Sequence, residues 1–249
     1  MSSPPQLILP HLARAPLVEV VDDTGETTPA TNAPRPPRPP LLVLLHGYEG
    51  NETTLFRFAP RLEPRFQIVC PRGPLELGSE RCAWFTFQRT PAGNRIAADQ
   101  LASSVERMRA FIAEAIEAYQ ADAGRVYLLG FSQGAILALT LALTTPRLLA
   151  GVVALAGRIP AEITPWLAAP EETAGLPVLL AHGRDDTTLP VTNAHAARAR
   201  LEEQRVALTY REYDAGHRLS SAMLADVNAW LAAQLAAKAF SRDIFENPN

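Results

Sequence analysis

Three short stretches of this chain carry residues able to do chemistry together. The first is Gly130-Phe131-Ser132-Gln133-Gly134. An apolar, strand-like run leads into it, and an apolar run at helical spacing follows. Gly-x-Ser-x-Gly between a strand and a helix is the setting of a nucleophile elbow. A sharp turn there crowds the residues on either side of the Ser, so glycines at 130 and 134 remove the Cβ atoms that would clash. A helix starting just after Ser132 points its first N–H groups at the site, which favours negative charge there. The plain alternative is a Ser that only caps a helix.

A Ser hydroxyl needs a base, and the base needs an orienting acid. The chain has five His. His11 lies in the N-terminal region, and His195 sits in a helical pattern, where a surface place is expected. His46 and His182 each end a strand and precede Gly, so they read as structural side chains that position the following loop. His217 differs. It lies in "YDAGHRLS", a loop between the last strand and the last helix. Loops beyond strand ends are where α/β sheets place function, so His217 is the expected general base.

The acid should lie between Ser and His in chain order. The stretch "AHGRDDTTLPV" offers Asp185 and Asp186. Loop position alone leaves both open, since an Asp pair also forms turns. An oxyanion hole completes the set. "LLVLLHGYEGNE" is a strand ending in His-Gly-x-x-Gly. Such a loop can lay the Tyr48 N–H beside the nucleophile, and Gln133, the residue after Ser132, supplies a second N–H.

Elements must hold these residues in place. Strand-length apolar runs recur at 41–45, 66–70, 125–130, 151–157, 177–182 and 207–213. Most are continuous rather than alternating, as in strands buried on both faces of a parallel sheet. Helical patterns at 99–120, 133–144, 192–204 and 219–237 lie between or after them. The alternation predicts one α/β domain over 1–249, a mostly parallel central sheet with helices on both faces. Residues 6–9 and 17–21 read as short strands of a hairpin. The Pro-rich stretch at 28–40 reads as an exposed loop, because Pro lacks the N–H donor and fixes φ. The tail at 240–249 carries three apolar residues, Phe240, Ile244 and Phe245. They allow docking on the body or a homodimer.

Composition excludes several classes. The 249 residues are 47% hydrophobic and 20% charged, with a net charge of −3. No basic stripe marks a nucleic-acid partner. The two cysteines, Cys70 and Cys82, show no metal-ligand spacing, suit a reducing compartment and allow one disulfide at most. The start lacks the basic and apolar regions of a signal peptide. No run approaches the roughly 18 apolar residues of a membrane span. A cytoplasmic enzyme without stable membrane insertion, metal or organic cofactor is expected.

The stretches "LLHGYEG", "PRGP…AWF", "GFSQG", "HGRDDTTLPV" and "YDAGHRLS" occur in that order. From about residue 41 to 235 the chain resembles the phospholipase/carboxylesterase family of α/β-hydrolases. That family includes acyl-protein thioesterases and small bacterial carboxylesterases. The resemblance implies the α/β-hydrolase fold, here with no separate cap domain. It selects Asp186 over Asp185, because the family's acid is the fourth residue after its His-Gly histidine. It also implies Tyr48 as the oxyanion donor, Trp84 and Phe85 as an aromatic pair lining the substrate pocket, and Leu189 as an apolar position near it. One departure is the stretch 76–95, which is polar where the thioesterases carry a longer apolar loop. A shallow, open pocket for small to medium esters is therefore expected. The alternatives are an acyl thioesterase or lysophospholipase, an aryl (feruloyl-type) esterase, an acyl transferase to alcohols, and a hydrolase-fold binding protein without catalysis.

Overall fold

In the computed structural model of this chain, residues 5–17, 38–90 and 93–246 are described. The apolar runs pair into one seven-stranded sheet. Its strands are β1 (His11–Arg14), β2 (Leu41–Leu45), β3 (Gln67–Pro71), β4 (Val126–Phe131), β5 (Gly151–Leu155), β6 (Pro177–Gly183) and β7 (Ala207–Tyr213). They lie in the order β1-β3-β2-β4-β5-β6-β7. Among the described strands of this sheet only β1 runs antiparallel, against β3, with His11 opposite Pro71 and Arg14 opposite Ile68.

Continuous apolar runs have a simple cause here. Successive side chains of a strand point to opposite faces, and both faces are covered. Leu41, Val43 and Leu45 enter one core; Leu42 and Leu44 enter the other. The same split recurs in β4, where Val126 and Leu128 face one way and Tyr127 and Leu129 the other.

Three helices cover the first face: α1 (Ala98–Ala118), α2 (Gln133–Thr144) and α3 (Thr192–Glu203). Helix α2 is buried from Gln133 to Leu143, because it lies between the sheet and α1. This explains why its sequence is apolar all round rather than amphipathic. On the second face lie Leu55 of a short helix (Glu52–Phe56) and Leu224, Val227, Leu231 and Leu235 of α4 (Ser221–Glu246).

Several expectations need correction. Residues 6–9 form no strand. Pro10 has no N–H to donate; its carbonyl instead accepts from Arg72 N–H, and the edge strand begins at His11. The partner expected at 17–21 lies mostly outside the described residues. Leu17 N–H donates to Pro64 O, so the segment just after β1 runs beside that loop rather than back onto 6–9. Most of the Pro-rich stretch 28–40 also falls outside the described residues. The backbone of α4 continues to Glu246, well past the expected end at 237. The polar stretch 76–95 is organised as small hairpin pairings, Leu75–Glu76 with Cys82–Ala83 and Phe87–Thr90 with Gly93–Ile96. Cys70 and Cys82 are buried free thiols. Among the described residues no helix is long and apolar enough to cross a membrane.

The topology sets where function can sit. From β2 the chain moves outward to β3, then crosses back over β2 to β4. The reversal opens a crevice beyond the C-terminal ends of β2 and β4. The loops after β2, β4, β5, β6 and β7 all emerge on that side.

Candidate active site

Ser132 stands between the end of β4 and the first residue of α2. Its backbone has φ 54° and ψ −115°, a left-handed conformation that is costly for a residue with a side chain. The flanking glycines make the turn feasible. A Cβ on Gly130 would lie 2.2 Å from Gly134 O, and one on Gly134 would lie 2.0 Å from Leu45 O. Neither position admits alanine without moving backbone. Ser132 makes no side-chain cap to its helix. Its hydroxyl points elsewhere.

The Ser132 Oγ lies 2.9 Å from His217 Nε2. On the other side of the ring, His217 Nδ1 lies 2.7 Å from Asp186 Oδ2. The Asp186 side chain is fully buried. Its Oδ1 accepts the backbone N–H groups of Thr188 and Leu189, at 2.9 and 2.8 Å. The carboxylate is therefore held in one orientation. Asp185, the rival acid, is exposed, and its backbone N–H donates to Ala215 O. The Phe131 ring packs beside the His217 ring, with centroids 5.0 Å apart.

His46 and His182 take the positions expected of structural side chains. His182 is buried, and its Nε2–H donates to Leu189 O at 2.7 Å. It thereby braces the turn that presents Asp186. His46 Nε2 accepts the Gly73 N–H at 2.9 Å, so its proton sits on Nδ1, which donates to Gly47 O at 2.7 Å. Burial lowers the His46 pKa from 6.5 to about 4, against the opposing pull of its bond to Gly47 O. The unfolded chain therefore takes up this proton below about pH 6.5, and the folded chain only near 4. Stability from this group is complete above pH 6.5 and is lost as pH falls towards 4. Between pH 7 and 4.5, urea unfolding of the wild type should lose about 2–3 kcal/mol more than that of His46→Asn. Equal losses in the two proteins would remove His46 from the account. Of the remaining histidines, His195 is exposed and paired with Glu212, and His11 is buried beside the Tyr119 hydroxyl.

The loop after β2 runs against the elbow. A Cβ on Gly47 would lie 3.4 Å from Ser132 Cβ. Tyr48 and Gln133 line one cavity with Ser132. The Gln133 side chain is tied down: Oε1 accepts Trp84 N–H at 2.8 Å, and Nε2 donates to Phe85 O at 2.6 Å. Trp84 Nε1–H in turn donates to His46 O at 2.9 Å. Gln133 and Trp84 thus join the elbow to the His46-Gly47 loop.

Trp84 and Phe85 do not line the cavity, contrary to expectation. Both are almost wholly buried, at 1% and 0% exposure. Large aromatic rings at the edge of a core gain more from burial than from facing solvent. Trp84 braces the loop, and Phe85 packs edge-on against Phe87 at 5.4 Å. Phe87 is the ring that reaches the cavity, edge-on to Tyr48 at 5.5 Å. Strand-like alternation from Phe85 was the one signal for it. Leu189 does line the cavity. Arg158, which its place just after β5 allowed to reach the pocket, lines it too, and the sequence reading missed Ile136 and Thr188, which also line it. The cavity volume is about 370 Å³, within the range of small-molecule sites.

A family model described as phospholipase/carboxylesterase matches residues 26–235. The chain belongs to the phospholipase/carboxylesterase family. Among curated relatives, carboxylesterase SOBER1 of Arabidopsis thaliana is 29% identical over 188 residues, covering 74% of this chain and 78% of that protein. Among solved structures, the carboxylesterase of Mesorhizobium loti is similar with a TM-score of 0.69 and 26% identity, over 78% of this chain and 88% of that one. The Bacillus cereus carboxylesterase gives a TM-score of 0.72 at 22% identity, over 91% and 95% of the two chains, a likeness of fold. The family's α/β-hydrolase sheet with helices on both faces is the architecture described above.

Proposed function

We propose that this chain is a serine carboxylesterase acting on small to medium carboxylic esters as a single catalytic domain. One observation carries the reading. An unbroken hydrogen-bonded series runs from buried Asp186 through His217 to Ser132, and Ser132 lines a cavity of small-molecule size. In this reading Ser132 Oγ attacks the ester carbonyl while His217 Nε2 takes its proton. Asp186 holds the proton on Nδ1 and stabilises the imidazolium. The Tyr48 and Gln133 backbone N–H groups hold the oxyanion. The alcohol leaves with the proton from His217. Water, deprotonated by His217, then hydrolyses the acyl-enzyme. The chemistry calls for no metal or organic cofactor. Relatives named as carboxylesterases support the ester as substrate class.

Cavity size supports short acyl chains over long ones. Turnover of 4-nitrophenyl esters from C2 to C12 should peak at or below about C6, because a pocket of this volume buries only a small ligand. A peak beyond about C8 would move the reading to an acyl thioesterase or lysophospholipase. The edge-on pair Tyr48 and Phe87 favours one second reading, an aryl esterase; feruloyl esters turned over faster than short alkyl esters would select it. We assign the chain to the cytoplasm, a reading supported by the two free thiols, Cys70 and Cys82, which suit a reducing compartment, with fractionation as the check. The apolar tail residues support a homodimer, which light scattering of the full chain against one ending at Lys238 would test.

A further inference from the structure

The cavity beside Ser132 carries one charged side chain among the described residues that line it. That side chain is Arg158. The rest of the lining is apolar, aromatic or neutral polar. A cation in such a setting is costly to desolvate unless something anionic meets it. Burial does lower the Arg158 pKa, against the opposing pull of Glu162. Glu162 itself accepts the Ile96 N–H through Oε1. A guanidinium is a planar fork of N–H donors, a shape matched to a carboxylate.

Arg158 is also held by a built turn. Ala156 closes β5 in a left-handed conformation, φ 51°, and its N–H donates to Ala181 O. A Cβ on the next residue, Gly157, would lie 2.6 Å from Ala135 Cβ, in the first turn of the elbow helix. Leu155 O accepts the Ser132 N–H at 2.9 Å. The loop bearing Arg158 therefore packs against the same turn that bears the nucleophile.

We propose that Arg158 is a specificity residue that binds an anionic group on the substrate, so that the preferred esters carry a carboxylate. This rests on the esterase reading above. The carboxylate can belong to the acyl part, as in the half-ester of a dicarboxylic acid, or to the alcohol part, as in the ester of a hydroxy acid. Arg158 meets either with charge-assisted, bidentate hydrogen bonds.

Two substrate pairs separate the sources. Monoethyl succinate against ethyl valerate tests the acyl side. 3-Acetoxypropanoate against butyl acetate tests the alcohol side. In one pair the wild type should favour the anionic ester in kcat/KM by about tenfold to a hundredfold, the usual worth of a charged hydrogen bond. The ratio should fall to about one or below in Arg158→Gln and recover in part in Arg158→Lys, which keeps charge but not the fork. Free succinate should also inhibit the wild type at lower concentration than valeramide, a test that needs no variant. Preference for the neutral ester in both pairs, a ratio that survives in Arg158→Gln, or equal inhibition by succinate and valeramide would each overturn the proposal. These outcomes leave the esterase reading standing. Absence of Ser132-dependent turnover on all four esters would instead remove the esterase reading itself.

Discussion

Replacing Ser132 by alanine should lower kcat on short 4-nitrophenyl esters by about 10⁴-fold or more. The reason is that covalent catalysis has no substitute route here. Alanine removes the Oγ that lies 2.9 Å from His217 Nε2 and leaves the base with nothing to deprotonate except water. Some acceleration over the uncatalysed reaction should persist, because the proposed oxyanion donors and the cavity are untouched. The variant should also fold. A methyl fits wherever the hydroxymethyl did, and the left-handed backbone at φ 54° costs alanine about what it costs serine. Circular dichroism and a thermal melt would confirm that the lost turnover is chemical. Stopped-flow traces should show a burst of 4-nitrophenol in the wild type and none in the variant, if deacylation is the slower step. Turnover within tenfold of the wild type would sink the mechanism and leave a hydrolase-fold binding protein, or a different nucleophile, as the account.

Asp186→Asn should lower kcat by about 10³–10⁴-fold, while Asp185→Asn stays near the wild type. The direction follows from how the carboxylate is held. Oδ1 accepts two backbone N–H groups, from Thr188 and Leu189. An asparagine must turn its carbonyl oxygen to those donors. Its NH₂ then occupies the place of Oδ2, 2.7 Å from His217 Nδ1. An NH₂ donates, so Nδ1 becomes the acceptor and the ring proton moves to Nε2. A protonated Nε2 cannot take the Ser132 proton. The substitution therefore preserves shape and inverts the tautomer. Its effect should fall on kcat with little change in KM, since no substrate contact is lost. Asp185 is exposed and bears on neither ring nitrogen through any described hydrogen bond. A larger loss from Asp185→Asn than from Asp186→Asn would overturn the assignment of the acid.

The two aspartates show where reading the chain reaches its limit. Adjacent residues in a turn point in different directions, and loop position cannot say which one faces inward. Only a match to the family's motif preferred Asp186. The folded turn supplies the physical reason. Backbone N–H groups at 188 and 189 converge on the side chain at 186, and His182 braces the turn from below. Trp84 and Phe85 show a related limit. Motif position assigned them to the pocket, yet their rings face the core, and Phe87 takes the cavity wall. Which face of a short hairpin lies inward depends on the partners packed behind it, here Gln133, Ser104 and the His46 loop.

What the sequence determined by itself is local or periodic. Continuous apolar runs of strand length imply strands covered on both faces, because successive strand side chains point opposite ways, whereas the longer apolar run of α2 is a helix buried all round. Glycines two residues either side of a serine imply a turn too tight for Cβ atoms, and the 2.0–2.2 Å approaches at 130 and 134 bear this out. The tertiary structure decided everything that depends on distance across the chain. It brought His217 to Ser132 across a sequence separation of 85 and turned Asp186 inward rather than Asp185. It also carried Arg158 into the cavity, by a left-handed turn at Ala156 and a close approach of Gly157 to the elbow helix. Residue type and spacing constrain the backbone one turn at a time. Side-chain direction within a site is set by the neighbours that close packing leaves room for.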